Sequence, residues 1–154
     1  MFGRSELELQ KEDYDIHMLL MQLLGEAEFD LRDSGFNVQS IDRLEDGWLL
    51  STDAAMLKRV IDNLVSNIKK YADLARPVIF LTEMKNGQIS VTISNALSNR
   101  GSGTESTKIG LRTCEKILDA LGGSFGTARD EKHFAAEFTL PMTAQPGKTG
   151  TDGV

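Results

Sequence analysis

The chain has 154 residues, of which 40% are hydrophobic and 26% are charged, as expected for one ordinary globular domain. Its net charge of -6 argues against a nucleic-acid-binding surface, its single cysteine excludes an internal disulfide, and its two histidines stand in unrelated contexts that suggest no transition-metal cluster. No apolar run reaches the roughly 18 residues of a membrane span, and we see no signal-peptide pattern, so we expect a cytoplasmic fragment without membrane contact.

The N-terminal part is predicted to be a flexible segment followed by a helix. Residues 1–12 are mostly polar, and from about Asp13 to Asp33 apolar residues recur at helical spacing. Gly35 stands where a C-terminal cap is expected. The apolar positions are Ile16, Leu19, Leu20, Leu23, Leu24, Ala27 and Leu31. This helix is expected to pack its apolar face on a core.

Two short β-prone runs follow, at residues 36–41 and 48–51. The turn-like sequence Glu45-Asp46-Gly47 separates them, so they predict a β-hairpin. Thr52 or Asp53 is then expected to cap the next helix, because both side chains can accept a hydrogen bond from a first-turn amide.

The next helix presents an apolar face and a polar stripe. The apolar face consists of Leu57, Val60, Ile61, Leu64, Val65, Ile68 and Ala72. Asn63, Asn67 and Lys70 form the stripe beside it, with Tyr71 at the border. Asparagine is a poor helix former, so two of them here require a reason. The stripe indicates either a binding surface or a solvated face.

Beyond this helix, a second hairpin and a long polar stretch are predicted. Residues 78–84 and 89–93 are strand-like, and the Asn86-Gly87 turn between them favours antiparallel pairing. Residues 96–108 are almost without apolar side chains and are predicted to form a loop, which serves either as a lid over a ligand or as plain disorder.

The last part of the chain is predicted to be a helix and a final strand. The helix starts near Leu111, its apolar positions continue through Cys114 and Leu121, and Gly122-Gly123 closes it. A helix start reached from a glycine-containing loop, as at Gly110, favours anion binding. Residues 134–141 alternate as a strand, and residues 143–154 are expected to be a disordered tail.

Three of these segments together resemble the catalytic domain of sensor histidine kinases. The run Asn63-Leu64-Val65-Ser66-Asn67-Ile68-Lys69-Lys70-Tyr71 is similar to the N box, N-L-x-x-N-A-x-K-Y. Lys108-Ile109-Gly110-Leu111 and the helix after it resemble the G2 box, and the final strand resembles the closing F-x-x-x-L-P. The resemblance covers roughly residues 16–141 and is nearest to the divergent, peptide-sensing kinases of Gram-positive bacteria.

This resemblance implies an α+β fold of the gyrase, chaperone and histidine-kinase ATPase superfamily (Bergerat or GHKL fold). It implies a two-layer α/β sandwich over residues 13–142, with a mixed sheet of about five strands, three helices on one face and a lid at about residues 96–109. The implied cofactors are ATP and Mg²⁺, with Asn67 as the magnesium ligand. The other residues implied to lie beside the nucleotide are Asn63, Lys70, Tyr71, Asn95, Lys108, Ile109, Gly110 and Leu111.

The G1 box of the family, D-x-G-x-G, is represented only by Asn95-Ala96-Leu97-Ser98-Asn99. In the family the aspartate accepts a hydrogen bond from the adenine amino group. Asn95 keeps a carbonyl oxygen for that bond but lacks the charge, and charge-assisted hydrogen bonds are about twice as strong as neutral ones. We therefore expect adenine recognition with reduced affinity.

The expected activity is that of a protein-histidine kinase in two-component signal transduction. Neither His17 nor His133 is followed by the acidic residue of the family's H box, so this fragment is not expected to phosphorylate itself. The γ-phosphoryl group would pass to a histidine on a separate dimerisation domain, and a response regulator would be an indirect partner. The parent protein is expected to be membrane-anchored. Two alternatives are a related serine kinase that inhibits a sigma factor and a pseudokinase that binds partners without nucleotide.

Overall fold

The computed structural model describes residues 8–98 and 104–142, with the backbone alone for residues 104–108. Its elements, in chain order, are β1 (Glu12–Asp15), α1 (Ile16–Asp33), β2 (Val38–Asp42), β3 (Leu49–Thr52), α2 (Ala54–Tyr71), β4 (Val78–Lys85), β5 (Gln88–Ala96), α3 (Thr104–Ala120), β6 (Ser124–Arg129) and β7 (His133–Pro141). No helix within these ranges is long and apolar enough to cross a membrane.

The strands form a mixed five-stranded sheet and a small second sheet. The large sheet has the order β2-β4-β5-β7-β6, in which only β2 and β4 run parallel, and β1 pairs with β3 alone. In β4, β5 and β7 the buried side chains alternate with more exposed ones, because successive side chains of a strand point to opposite faces. The three helices of the described chain pack their apolar sides on the buried face. The predicted α+β fold class is confirmed.

Helix α2 begins where the sequence predicted, and Asp53 rather than Thr52 is its N-cap. One carboxylate oxygen of Asp53 accepts a hydrogen bond from the Met56 amide at 3.1 Å. The other accepts one from the amide of Gln10 at 2.8 Å, so the same buried side chain also holds the segment that enters the domain.

The predicted hairpin at Asn86-Gly87 is confirmed. Strands β4 and β5 are antiparallel with Lys85 opposite Gln88, which leaves the two turn residues unpaired. Asn86 and Gly87 have φ angles of 54° and 75°, the left-handed conformation that a two-residue hairpin turn of type I′ requires.

The predicted hairpin of residues 36–41 and 48–51 is wrong. Strand β2 joins the large sheet in parallel with β4, with Val38 opposite Val78. Strand β3 pairs with β1, with Thr52 opposite Glu12. A two-stranded hairpin alone is only marginally stable, and pairing with β4 buries Val38 against the core, so the distant partner is favoured over the local one.

The other differences concern the ends of elements. Strand β1 occupies the predicted junction of flexible segment and helix, and α1 begins at Ile16 because Asp15 caps it by accepting from the Met18 amide. Helix α3 begins at Thr104, so the last residues of the predicted 96–108 loop are helical. Strand β6 was not predicted. Residues 1–7, 99–103 and 143–154, which include most of the predicted flexible segment and all of the predicted tail, lie outside the described residues.

Candidate functional site

Asn63, the first residue of the polar stripe of α2, contacts α3. Asn67 is buried, Asn63 and Tyr71 are half-buried, and Lys70 is exposed. The Nδ2 atom of Asn63 donates to the carbonyl oxygen of Gly110 at 3.4 Å. The stripe is therefore not simply a solvated face, because Asn63 connects the N-box-like helix to the G2-like segment.

The C-terminal end of α2 is fastened to the end of β5 by backbone contacts. The amide of Ser98 donates to the carbonyl of Tyr71 at 2.8 Å, and the amide of Asp73 donates to the carbonyl of Ala96 at 2.9 Å. Ala72 and Leu97 form an isolated antiparallel bridge. These contacts bring the G1-like segment beside the stripe, although the two are separated by a hairpin in the sequence.

Asn95, near the end of β5, holds a buried acceptor without a donor. The residue is 5% exposed, and its Nδ2 atom donates to the carbonyl of Ala96 at 2.9 Å. Its Oδ1 atom has no hydrogen-bond partner within the described part of the chain. A buried unpaired acceptor costs about 1–3 kcal/mol, and such atoms in native proteins call for an explanation. An exocyclic amino group, as adenine carries, would supply the missing donor, so the residues present fit the implied nucleotide.

Sequence reasoning did not single out Ser98 as a site residue. Its hydroxyl oxygen is buried and, among the residues that the structure describes, also lacks a hydrogen-bond partner. Ser98 lies three residues after Asn95, inside the G1-like segment, and its own amide is bound to Tyr71. A serine that replaces no motif residue gives no signal in a sequence, and only its burial next to Asn95 reveals it.

The four G2-like residues lie inside α3 rather than at its start. Ile109 is 71% exposed, and Gly110 and Leu111 are half-buried. For Lys108 the structure describes only the backbone. Because α3 begins at Thr104, the backbone amides that lack helical partners belong to its first four residues and not to Gly110. The predicted start of this helix near Leu111 is therefore wrong, whereas nucleotide binding by residues 108–111 stays a prediction. A Cβ at Gly110 would lie 3.9 Å from Asn63 Cγ, an ordinary contact, so packing within the chain does not require this glycine.

The ionisable groups near the stripe do not suggest another chemistry. Burial raises the pKa of the Cys114 thiol to about 11, so it is neutral at physiological pH. Cys114 Sγ donates to the carbonyl of Val60 at 3.7 Å, a packing role. Among the described residues, no group of three His, Cys, Asp or Glu side chains could hold a metal ion. A magnesium ion here would depend on amide and phosphate oxygens, the hard ligands that it accepts.

Neither histidine belongs to the polar stripe of α2, but His133 lies opposite Ala96 in the sheet and lines a pocket together with Asn95. His17 stands between Asp42 and Asp46 near the start of α1, and His133 is exposed at the start of β7.

The helices, the mixed sheet and the order of the strands define the fold of histidine kinase catalytic domains. No protein-family model matches the sequence, and a search of curated proteins finds no relative. Solved structures do match. The histidine kinase AdeS of Acinetobacter baumannii has a TM-score of 0.69 at 15% identity, over 91% of this chain and 71% of that chain.

Two further solved structures agree with this. The catalytic domain of histidine kinase ThkA has a TM-score of 0.69 at 19% identity, over 88% of this chain and 97% of that domain. Full-length ShkA in complex with AMPPNP has the same TM-score at 17% identity, over 90% of this chain and 32% of that protein. The likeness at these identities shows the fold, and this chain matches about one third of a full-length kinase.

Proposed function

We propose that this chain is the ATP-binding catalytic domain of a two-component sensor histidine kinase. It binds Mg-ATP and donates the γ-phosphoryl group to a histidine on a separate dimerisation domain. The observation that carries the proposal is the buried Oδ1 atom of Asn95, which has no hydrogen-bond partner among the described residues and lies near the C-terminal end of α2 in a histidine-kinase fold. One protein of this fold, ShkA, was solved in complex with AMPPNP.

Asn95 recognises the base. Its Nδ2 atom is held by the Ala96 carbonyl, which orients the amide so that Oδ1 is the group left to accept. This arrangement selects a base that offers a donor at that position and disfavours one that offers a carbonyl. The Ser98 hydroxyl, which has no partner within residues 8–98 and 104–142, is a second polar group for the base or for a water bound to it.

The stripe of α2 holds the phosphates through the metal. Asn67 supplies an amide oxygen, and Lys70 brings a positive charge one helical turn away on the same side of α2. When bound, Mg²⁺ neutralises the charge of the phosphate oxygens. Asn63 positions α3 next to this site through the Gly110 carbonyl.

The partner domain supplies the acceptor. Phosphoryl transfer depends on positioning and charge stabilisation rather than on covalent chemistry by the protein. The partner must therefore dock close to the nucleotide. Ile109 is 71% exposed on α3, one residue before Gly110, and offers an apolar contact for such a partner.

A thermal-shift titration with Mg-ATP tests the proposal. A nucleotide at 100 times its dissociation constant adds about 2.7 kcal/mol to the stability, which for a domain of this size raises the Tm by roughly 5–11 °C. Asn67→Ala should abolish the magnesium-dependent part of the shift, whereas Ser66→Ala, at the neighbouring exposed position, should keep it. Absence of any shift with millimolar ATP or ADP would reject the kinase assignment and leave the nucleotide-free pseudokinase.

The nature of the acceptor needs a second assay. After incubation of the wild-type chain with labelled ATP and an isolated dimerisation domain, phosphohistidine is expected, which is labile in acid and stable in base. An acid-stable label on a serine of an added partner protein would instead identify the serine-kinase alternative.

A further inference from the structure

A pocket lies on the face of the large sheet that the helices leave uncovered, at the end where β5 and β6 finish and β4 and β7 begin. Its volume is about 500 Å³, within the range of roughly 300–1,000 Å³ that is typical of small-molecule sites. Ser94 and Ala96 of β5 belong to this open face, because they alternate with Ile93 and Asn95, which are buried on the helix side. Asn95 thus borders the pocket along its strand, while its side chain belongs to the other face. The pocket is therefore separate from the nucleotide site proposed above.

The floor of the pocket is mainly apolar. Ala135 on β7 lies opposite Ser94 of β5 on one side and opposite Ala128 of β6 on the other. These small side chains leave the space that the larger residues typical of strands would fill. Ile79, opposite Ser94 on β4, and Pro77 close one side of the pocket. The flat apolar body of a small ligand therefore fits on this floor.

The rim of the pocket carries two exposed arginines, Arg76 and Arg129. Neither forms an ion pair with another residue that the structure describes, whereas Arg32 and Arg43 are paired with glutamates of the chain. An arginine is charged at any physiological pH, and its planar set of donors matches a carboxylate. In a chain with a net charge of -6, this end of the sheet is thus a local site for an anion.

One carboxylate also lines the pocket, that of Asp130, and it is engaged in its own turn. It accepts hydrogen bonds from the amides of Lys132 and His133 at 2.7 and 2.8 Å. These two bonds lower the pKa of Asp130, so its side chain stays ionised. Two arginines against one carboxylate leave the lining with a net positive charge even when His133 is neutral.

The backbone on both sides of Arg76 is held by hydrogen bonds. The amide of Arg76 donates to the carbonyl of Asp73 at 3.1 Å, and the amide of Val78 donates to the carbonyl of Asn37 at 2.8 Å. Between them, Pro77 has a fixed φ and restricts the backbone of the residue before it. Only the side chain of Arg76 must therefore be ordered when an anion binds, which reduces the entropic cost of binding.

We propose that this pocket binds a small organic carboxylate with a flat apolar body. The body lies on the floor at Ala135, and the carboxylate lies at the rim, where Arg76 and Arg129 supply positive charge. The apolar floor favours such a ligand over an inorganic anion, and the cationic rim favours it over a neutral compound of the same shape. This inference does not depend on nucleotide binding.

Titration of the wild-type chain with 2-naphthoate, followed by NMR of labelled alanine methyl groups, tests the proposal. We expect a dissociation constant in roughly the millimolar range, with shifts of the Ala96, Ala128 and Ala135 methyls but not of Ala27, which is buried on α1. The neutral 2-naphthamide should bind at least about threefold more weakly, because exposed ion pairs contribute up to about a factor of five. Inorganic phosphate should leave the methyls unshifted. No shift with naphthoate up to about 10 mM, or equal binding of naphthoate and naphthamide, would overturn the proposal.

Substitutions on the floor test the place of the apolar body. Ala135→Leu should fill the pocket and abolish naphthoate binding, whereas Thr92→Leu, on the same face but outside the pocket, should keep it. Ala128→Leu, at an exposed position of β6, repeats the test where the core is not involved. Retention of binding in both alanine variants, or an equal loss in Thr92→Leu, would contradict the assignment of the floor.

Substitutions on the rim test the place of the carboxylate. The double variant Arg76→Gln, Arg129→Gln should bring the affinities for naphthoate and naphthamide together, whereas Arg59→Gln, at an exposed arginine of α2, should keep the difference. Asn67→Ala should not change the naphthoate titration, so failure of this site and failure of the nucleotide site are distinguishable. An unchanged preference for naphthoate in the double variant, or loss of naphthoate binding in Asn67→Ala, would refute the assignment.

Discussion

Substituting Gly123 by alanine should destabilise the domain strongly, because the backbone of β7 leaves no space for a side chain. A Cβ at Gly123 would lie 1.9 Å from the carbonyl oxygen of Thr139 and 3.0 Å from its carbonyl carbon. Thr139 is paired with Ser90 on one side and with Ser124 on the other, so its carbonyl cannot move without disturbing both ladders. The amide of Gly123 also closes α3 through the carbonyl of Leu118 at 2.8 Å.

The expected loss follows from this clash. Overpacking of a well-packed site costs about 1–3 kcal/mol, and a clash with backbone rather than with a flexible side chain places Gly123→Ala near about 3 kcal/mol. For a domain of this size that lowers the Tm by roughly 6–12 °C. Gly126→Ala is the matched control, since a Cβ there meets nothing within 4 Å, and it should change the stability by no more than about 0.5 kcal/mol. Equal melting temperatures for the two variants would show that α3 does not approach β7 as closely as described.

Three further predictions concern the hydrogen bonds of His17, the recognition of the nucleotide base by Asn95 and the docking of the dimerisation domain at Ile109. When protonated, His17 can donate from both ring nitrogens, to Asp42 at 2.6 Å and to Asp46 at 2.5 Å, and its pKa is raised by the hydrogen bond to Asp42 and then by that to Asp46, against the lowering effect of burial. The stabilisation of the folded state by His17 is therefore complete below the unfolded pKa near 6.5 and is lost as pH rises through the folded pKa. His17→Gln should lower the free energy of unfolding, measured by urea titration, by about 1 kcal/mol at about pH 6 and should not change it at about pH 9. An equal loss at both pH values would refute this. Asn95→Leu should weaken ATP binding about tenfold in calorimetry, since it removes an acceptor worth roughly 1.4 kcal/mol, and unchanged affinity would show that Oδ1 does not meet the base. Ile109→Ser should slow phosphoryl transfer to an added dimerisation domain and leave ATP affinity unchanged, whereas an equal loss of both would place Ile109 at the nucleotide instead.

The sequence predicted the elements whose partners are close along the chain. The apolar faces of α1 and α2 follow from the periodicity of the local sequence, and the hairpin at Asn86-Gly87 follows from the chemistry of its turn. Both signals are the same in any fold that buries one side of each element. Strand pairing between distant segments has no such local rule. Strand β2 looks like one half of a hairpin, yet it pairs with β4 because Val38 gains a buried position there.

The candidate site could be predicted in part for a similar reason. Asn63, Asn67 and Lys70 were visible as a stripe because they share one helix, whereas Asn95 was found only through the resemblance of residues 95–99 to the G1 box. The bond between Asn63 and Gly110 was not visible, since it depends on how α3 crosses α2. The start of α3 at Thr104 was also missed, because polar residues before Ile109 resemble a loop by composition whether or not they are helical.

The contacts of Asp53 connect the segment that enters the domain to the helix that carries the polar stripe. Strand β1 pairs with β3, and β3 ends at Thr52, directly before the N-cap of the helix that carries the stripe. Asp53 then divides its two oxygens between the first turn of α2 and the amide of Gln10, at 3.1 and 2.8 Å. The entering segment and the first turn of α2 therefore share one buried side chain, and removal of the Asp53 carboxylate would free both. At its other end α2 holds the end of β5 through the backbone, so one helix connects the entering segment with the strand that carries Asn95.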